Sequence, residues 1–251
     1  MQRDTLKNEE YFNKWISYDR ERMRQKQDRL DSGGIPLPYG KVTAAADLWN
    51  KALGVTVMGY SRGDKIADLA SDVSNLLVMR EQLQAMCNAL PEDQQQKRFQ
   101  FEKLSFDNYL DFLWWLSLAF CTGMEAAYIE RALALIDNAN QDALLDRIAV
   151  KLGDSQRNLS NDLLFPKQYD LLLRALDAAP KEQPGLIKKF LDGWYKGNKS
   201  LAAWYDTHKG EDTGYVGYWC FEAALVVKLF GIEDSSFRTH KHYPADLVHL
   251  D

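Results

Sequence analysis

Apolar residues recur along this chain at intervals of three and four, which is the period of a helix with one face turned inward. Phe12, Trp15, Ile16 and Met23 mark such a face on a first helix that begins after Asn8, a residue suited to cap it. The stretch DSGGIPLPYG (31–40), rich in glycine and proline, ends that helix. A second helix runs through AAADLWNKALG. The VTVMGY that follows could pass for a strand, but no partner strand is evident, so it reads as the end of the same helix. After a turn at YSRGDK, the spacing of Leu69, Val73, Leu76, Leu77, Leu83 and Leu90 predicts one long helix over about 64–89.

The polar stretch PEDQQQKRFQFEK (91–103) reads as a linker. Helices are then predicted at about 107–121, 124–138, 140–152, 166–178 and 183–196. In the last of these, Leu186, Ile187, Phe190, Leu191 and Trp194 form a continuous stripe, and Leu201, Trp204, Tyr205 and His208 repeat the spacing on a shorter helix. HKGEDTG is a loop, and GYVGYWCFEAALVVKLFGI (214–232) reads as the next helix. Beyond Ile232 the pattern is irregular, and Pro244 stops anything long. No strand pair and no fixed repeat is found. The expectation is an all-α chain of about ten helices in an antiparallel, bundle-like arrangement, with two helical subdomains, 1–103 and 104–251, packed together.

Composition supports a packed core, because 46% of the 251 residues are hydrophobic and 12% aromatic. A net charge of -5 argues against direct binding of nucleic acid by the protein as a whole. That charge is uneven. Residues 205–251 hold eight acids (Asp206, Glu211, Asp212, Glu222, Glu233, Asp234, Asp246 and Asp251) against four bases. They form either a solvated acidic surface or a face for a basic partner. The start, MQRDTLKNEE, lacks the apolar core of a secretory signal. The longest near-apolar run, Phe112 to Met124, is too short to span a bilayer. Cys87, Cys121 and Cys220 lie far apart in apolar surroundings and read as reduced core thiols, which fits a cytoplasmic protein.

Motifs with built-in chemistry are scarce. There is no phosphate-binding loop, dinucleotide fingerprint, nucleophile elbow or zinc-spaced cysteine pair, so neither a cofactor nor a metal is expected. His240 and His242 form a His-x-His pair in loop-like surroundings and read as surface residues, while His208 and His249 are isolated. Asp142 and Asp146 share a helix face. With Arg147 adjacent, they read as a helix start and a solvated face rather than a catalytic pair. The alternating charges of DRERMRQKQDR (19–29) suit an exposed, self-paired helix.

Glu222 differs in kind. On a helix it shares its side with Tyr218, Phe221, Leu225 and Leu229, and Trp219, Ala223, Val226 and Phe230 cover the other side. A bare buried carboxylate costs several kcal/mol or shifts its pKa upward. Glu222 is therefore expected either to bond to a buried Tyr, Trp or basic group or to line a partner groove. A catalytic role would need a second group that the sequence does not supply.

Four motifs carry a resemblance: Gly217-Tyr218-Trp219, Phe221-Glu222-Ala223-Ala224, Asp234-Ser235-Ser236-Phe237 and Tyr243-Pro244-Ala245-Asp246-Leu247-Val248. Together with YLDFLWWLSLAF (109–120), ALLDRIA (143–149), GWYKGNKSLAAWYDTHK (193–209) and YSRGDKIADL (60–69), they resemble the PoNi immunity proteins, which neutralise PoNe-type DNase toxins in bacterial competition through polymorphic toxin systems and type VI secretion. Glu233 stands where that family would place an aspartate. The resemblance implies an all-α cytoplasmic protein without enzymatic activity. Its partner would be a PD-(D/E)xK-type nuclease, and it would make no direct contact with nucleic acid or membrane.

A DNase must present a positive surface, and an acidic face would complement it. On this reading the partner-binding candidates are Tyr205 and Tyr215 as aromatic anchors, with Asp206, Glu211, Asp212, Glu233 and Asp234 as acids. Gly217, Tyr218, Trp219, Phe221, Glu222, Tyr243, Pro244 and Asp246 form the structural motif. The alternatives are a helical scaffold without a toxin partner, or a helical enzyme using Glu222 with His208 or His240.

Overall fold

The computed structural model describes residues 2–210 and 214–249. Among these residues it contains eleven α-helices, two short 3-10 helices and no strand, so the fold class is all-α. The chain divides into two compact units, one of Met1–Asn108 with Asp206–Gly217 and one of Tyr109–Tyr205 with Tyr218–Asp251.

In the first unit, α1 (Glu9–Asp31) starts where the Asn8 side chain accepts the backbone N–H of Tyr11 at 2.9 Å. Phe12, Ile16 and Leu30 are buried, and the charges of 19–29 stay outside. Some of those charges pair along the helix, as Arg24 does with Glu21. Others reach the next helices, as Lys51 with Asp19 at 2.8 Å and Arg20 with Asp72 at 2.9 Å. α2 (Pro38–Arg62) begins on a proline and is apolar nearly all round, with VTVMGY continuing the helix. It ends at Gly63, whose φ of 103° favours glycine. Gly59, near that end, is a close approach: a Cβ there would meet Asp64 and Leu69 atoms at 3.0 Å. α3 (Ile66–Asn88) buries Leu69, Val73, Leu76, Leu77 and Leu83.

The polar stretch 91–103 is more ordered than a linker. It forms a 3-10 helix (Glu92–Arg98) and then α4 (Phe99–Glu102). Gln95 donates to the Leu90 carbonyl at 2.6 Å, and the buried Arg80 donates to the Phe101 carbonyl at 2.9 Å. These bonds hold the stretch in the first unit, which continues to Asn108, in the first turn of α5. The unit also takes back residues 206–217, which the sequence had grouped with the C-terminal half.

The second unit is built on α5 (Phe106–Cys121), where Tyr109, Phe112, Leu113, Trp115, Leu116 and Leu118 are all buried. α6 (Ala126–Ile136), α7 (Ala143–Lys151), α8 (Pro166–Asp177) and α9 (Gln183–Gly197) follow. In α9 the predicted stripe turns Ile187, Phe190, Leu191 and Trp194 inward, while Leu186 is half-buried. α10 (Phe221–Phe230) and α11 (Ala245–Val248) complete the unit.

Two predicted helices are corrected. Residues 201–206 form turns, followed by a 3-10 helix at Thr207–Lys209. Asp206, with φ 62°, takes the left-handed conformation that breaks a helix. The stretch 214–232 is helical only from Phe221, because Gly214 (φ 70°) and Gly217 (φ 119°) interrupt it. Its backbone finds partners elsewhere: the Cys220 N–H donates to the His242 carbonyl at 2.8 Å, and His242 Nδ1 lies 2.9 Å from the Tyr218 carbonyl.

Candidate partner-recognition site

The shortened α10 moves Glu222 from mid-helix to the first turn, where a carboxylate is favoured by the unsatisfied N–H groups. Glu222 is 0% exposed. It accepts the Trp114 indole N–H at 3.1 Å and the Trp194 indole N–H at 2.5 Å. Burial raises its pKa to about 7, and the two indoles oppose that rise without cancelling it. Trp114 comes from α5 and Trp194 from α9, so three of the stretches that carried the resemblance meet at one carboxyl group. The neighbouring Ser117 hydroxyl donates to the Phe221 carbonyl at 2.7 Å. Enclosed in this way, Glu222 is out of reach of a substrate.

Asp234 is also inside, at 2% exposure. It accepts from Arg238 at 2.6 Å, from the Tyr243 hydroxyl at 3.0 Å and pairs with His249 Nε2 at 2.7 Å. Burial pushes its pKa up, but the hydrogen bonds from Arg238, His249 and Tyr243 outweigh it and hold the carboxyl below the usual range. Asp234 and Tyr243, from two of the quoted motifs, thus form one internal tie. Tyr218, Trp219, Phe221 and Pro244 are buried, Gly217 supplies the left-handed bend, and Asp246 is half-buried at the start of α11.

The partner-binding candidates therefore separate. Tyr215 is corrected from a surface anchor to a core residue of the first unit, with 1% exposure. Its hydroxyl donates to Asp4 at 2.5 Å and its carbonyl accepts from Tyr11 at 3.2 Å. Asp234 is corrected likewise, since its carboxylate is spent inside the second unit. Glu211 and Asp212 lie outside the described residues. Asp206 is half-buried and paired with Lys209 at 2.6 Å in the first unit. Tyr205, half-buried in the second unit, stacks on Tyr195 with ring centroids 4.6 Å apart. Glu233 is exposed and accepts the Ser235 N–H at 2.7 Å.

Two further expectations change. Asp142 and Asp146 are each 0% exposed rather than on a solvated face. Asp142 caps α7 by accepting from Leu145, and it also accepts from the Tyr109 hydroxyl and the Leu164 N–H. Asp146 accepts from Arg157 Nε at 2.6 Å and from the Ser160 N–H at 2.9 Å. The pair fastens the irregular segment after α7 to the core. His242 is buried, and that burial lowers its pKa to about 4; His240 is largely covered and lies 3.7 Å from Asp192. Among the described residues, no group of three or more His, Cys, Asp or Glu is placed to hold a metal, and no helix is long and apolar enough to cross a membrane.

The sequence did not point to a cavity of about 450 Å³ in the second unit, bounded by α6, the residues after it and the segment after α7. Leu133 and Leu152 lie in its wall, with Glu130, Asp137 and Asp154. Its parts come from two separate stretches, 126–139 and 152–157, neither with a motif of its own.

Comparison with known proteins accounts for both halves of the chain. The family model of the PoNe immunity protein (PoNi) N-terminal region matches residues 3–134, and that of the PoNe immunity proteins (PoNi) C-terminal region matches residues 140–247. Among solved structures, the crystal structure of protein PA2201 from Pseudomonas aeruginosa is similar in fold, with a TM-score of 0.64 and 18% identity over 99% of this chain and 97% of that one. No curated protein matches. Matched in tandem across nearly its whole length, this chain belongs to the PoNe immunity proteins (PoNi).

Proposed function

We propose that this chain binds a PoNe toxin that cleaves DNA, in the cytoplasm, and neutralises it by covering the surface the toxin uses to hold DNA. The observation that carries the reading is the tandem family match over 3–134 and 140–247. Electrostatics supports the mode of inhibition. A DNase holds its substrate largely through lysine and arginine contacts to phosphates, and an acidic protein is steered toward such a surface. The net charge of -5 has the required sign. Of the acids and aromatics proposed for the contact, Tyr205, Asp206 and Glu233 are at least partly accessible and remain candidates. The chain acts here as a binder, with no cofactor and no reaction of its own.

Co-expression with the cognate PoNe toxin domain tests the reading. The two proteins are expected to purify together through a tag on either one, and cells carrying both are expected to grow. Toxin that purifies alone and arrests growth despite the chain would refute it.

A further inference from the structure

The cavity in the second unit combines two features that suit one kind of occupant. Its lining is partly aliphatic, through Leu133 and Leu152, and carries three carboxylates, the exposed Glu130 and Asp137 and the half-buried Asp154. No lysine lines it, and its one cation, Arg157, is already engaged. The Arg157 guanidinium bonds to the buried Asp146 at 2.6 Å, to Asn138 at 2.7 Å and to Asp154 at 3.4 Å. Glu130 and Asp137 are exposed and have no ion pair or side-chain hydrogen bond among the described residues. At about 450 Å³ the cavity has the size of a small-ligand site and holds a long side chain easily.

Lysine and arginine lay their methylene stems along apolar surface and project the charged head onto polar groups. An arginine head can also engage a carboxylate through two parallel hydrogen bonds. We propose that this groove seats a lysine or arginine side chain of the toxin, with the stem against Leu133 and Leu152 and the head between Glu130 and Asp137. The inference rests on the immunity reading and locates its charge complementarity on α6 and the residues that follow, away from the acid-rich C-terminal segment.

Surface plasmon resonance with the purified toxin domain and the immobilised full chain provides the test. One variant, Glu130→Gln with Asp137→Asn, removes two rim charges. Asparagine tolerates the left-handed backbone at position 137, where φ is 36°. A second variant, Ala134→Phe, plugs the groove at an exposed lining position without changing charge. Glu182→Gln, an exposed acid outside the groove, serves as control. Both groove variants are expected to lose about tenfold or more in affinity, as a central contact does. The neutralised variant should also lose part of its dependence on salt, while the control binds like wild type and all variants melt like wild type.

If wild type binds and both groove variants bind equally well, the groove proposal falls and the immunity reading stands. If wild type itself fails to bind, the immunity reading falls and takes the groove with it. Variants that change only self-association would assign the groove to a second copy of this chain and overturn the proposal.

Discussion

Two acid-bearing stretches of the second unit, 218–249 and 126–157, spend their carboxylates differently. In the first, Glu222 and Asp234 turn inward and are consumed by the fold, one by two indoles and the other by Arg238, Tyr243 and His249. In the second, Asp142 and Asp146 are likewise consumed, but Glu130 and Asp137 stay at the rim of a cavity without partners among the described residues. A partner meets only the charge that a fold leaves unpaired and exposed. Counting acids along the chain favours the C-terminal segment, whereas comparing the exposed carboxylates without a side-chain partner in these two stretches favours α6 and the residues after it.

The largest expected effect lies among the internal acids. Arg157 and Asp146 have side-chain exposures of 3% and 0%, and removing one member leaves a charge uncompensated. Arg157→Ala or Asp146→Ala should cost about 3–5 kcal/mol of stability in urea unfolding. A loss under 1 kcal/mol (roughly the value of an exposed pair) would show that the pair is solvated and would weaken the comparison.

Glu222→Ala comes next. It strands two buried indole N–H groups, each costing at least about 1 kcal/mol, so a loss of at least about 2 kcal/mol is expected. An alanine variant that melts like wild type would mean that the indoles find other acceptors.

The third effect is a pH dependence. Glu222 ionises at about 7 in the native state and near 4.5 when exposed. The native state therefore binds more protons between those values, and the stability from this group, full below 4.5, is lost as pH rises through 7. At about 1.4 kcal/mol per unit the change is roughly 3 kcal/mol. His242 runs the other way: its pKa falls from 6.5 to about 4, so its contribution is full above 6.5 and lost as pH falls through 4. The two windows overlap and offset each other in wild type. Glu222→Gln should unmask the histidine, giving a stability that climbs between pH 4.5 and 6.5 more steeply than wild type. Parallel profiles would disprove the assignment.

The smallest effect concerns the displayed acids. Glu130→Gln with Asp137→Asn should change unfolding stability by less than about 0.5 kcal/mol. A larger loss would place these carboxylates with the internal ones.

Most of the helices were legible because their inward faces repeat at three and four, and Asn8 and Asp142 were legible as residues at helix starts. The core position of Glu222 followed from its apolar surroundings. Its first-turn placement did not, because a short apolar run has the same look in a helix and in an extended segment. Only the glycines at 214 and 217 hinted that the run breaks before Phe221. Tyr215 resembled a loop aromatic because its partner, Asp4, is 211 positions away. Asp146 resembled a solvated acid for the same reason, since Arg157 sits in a segment without periodicity. Long-range polar pairs leave no local pattern, and they decided which acids are hidden.

The central claim is that this chain blocks a nuclease by binding it. The direct measurement is cleavage of plasmid DNA by the purified toxin domain as the purified chain is titrated in. The account predicts that cleavage falls in proportion to added chain and stops near equimolar amounts. Cleavage at an unchanged rate in the presence of a large excess of the chain would contradict it.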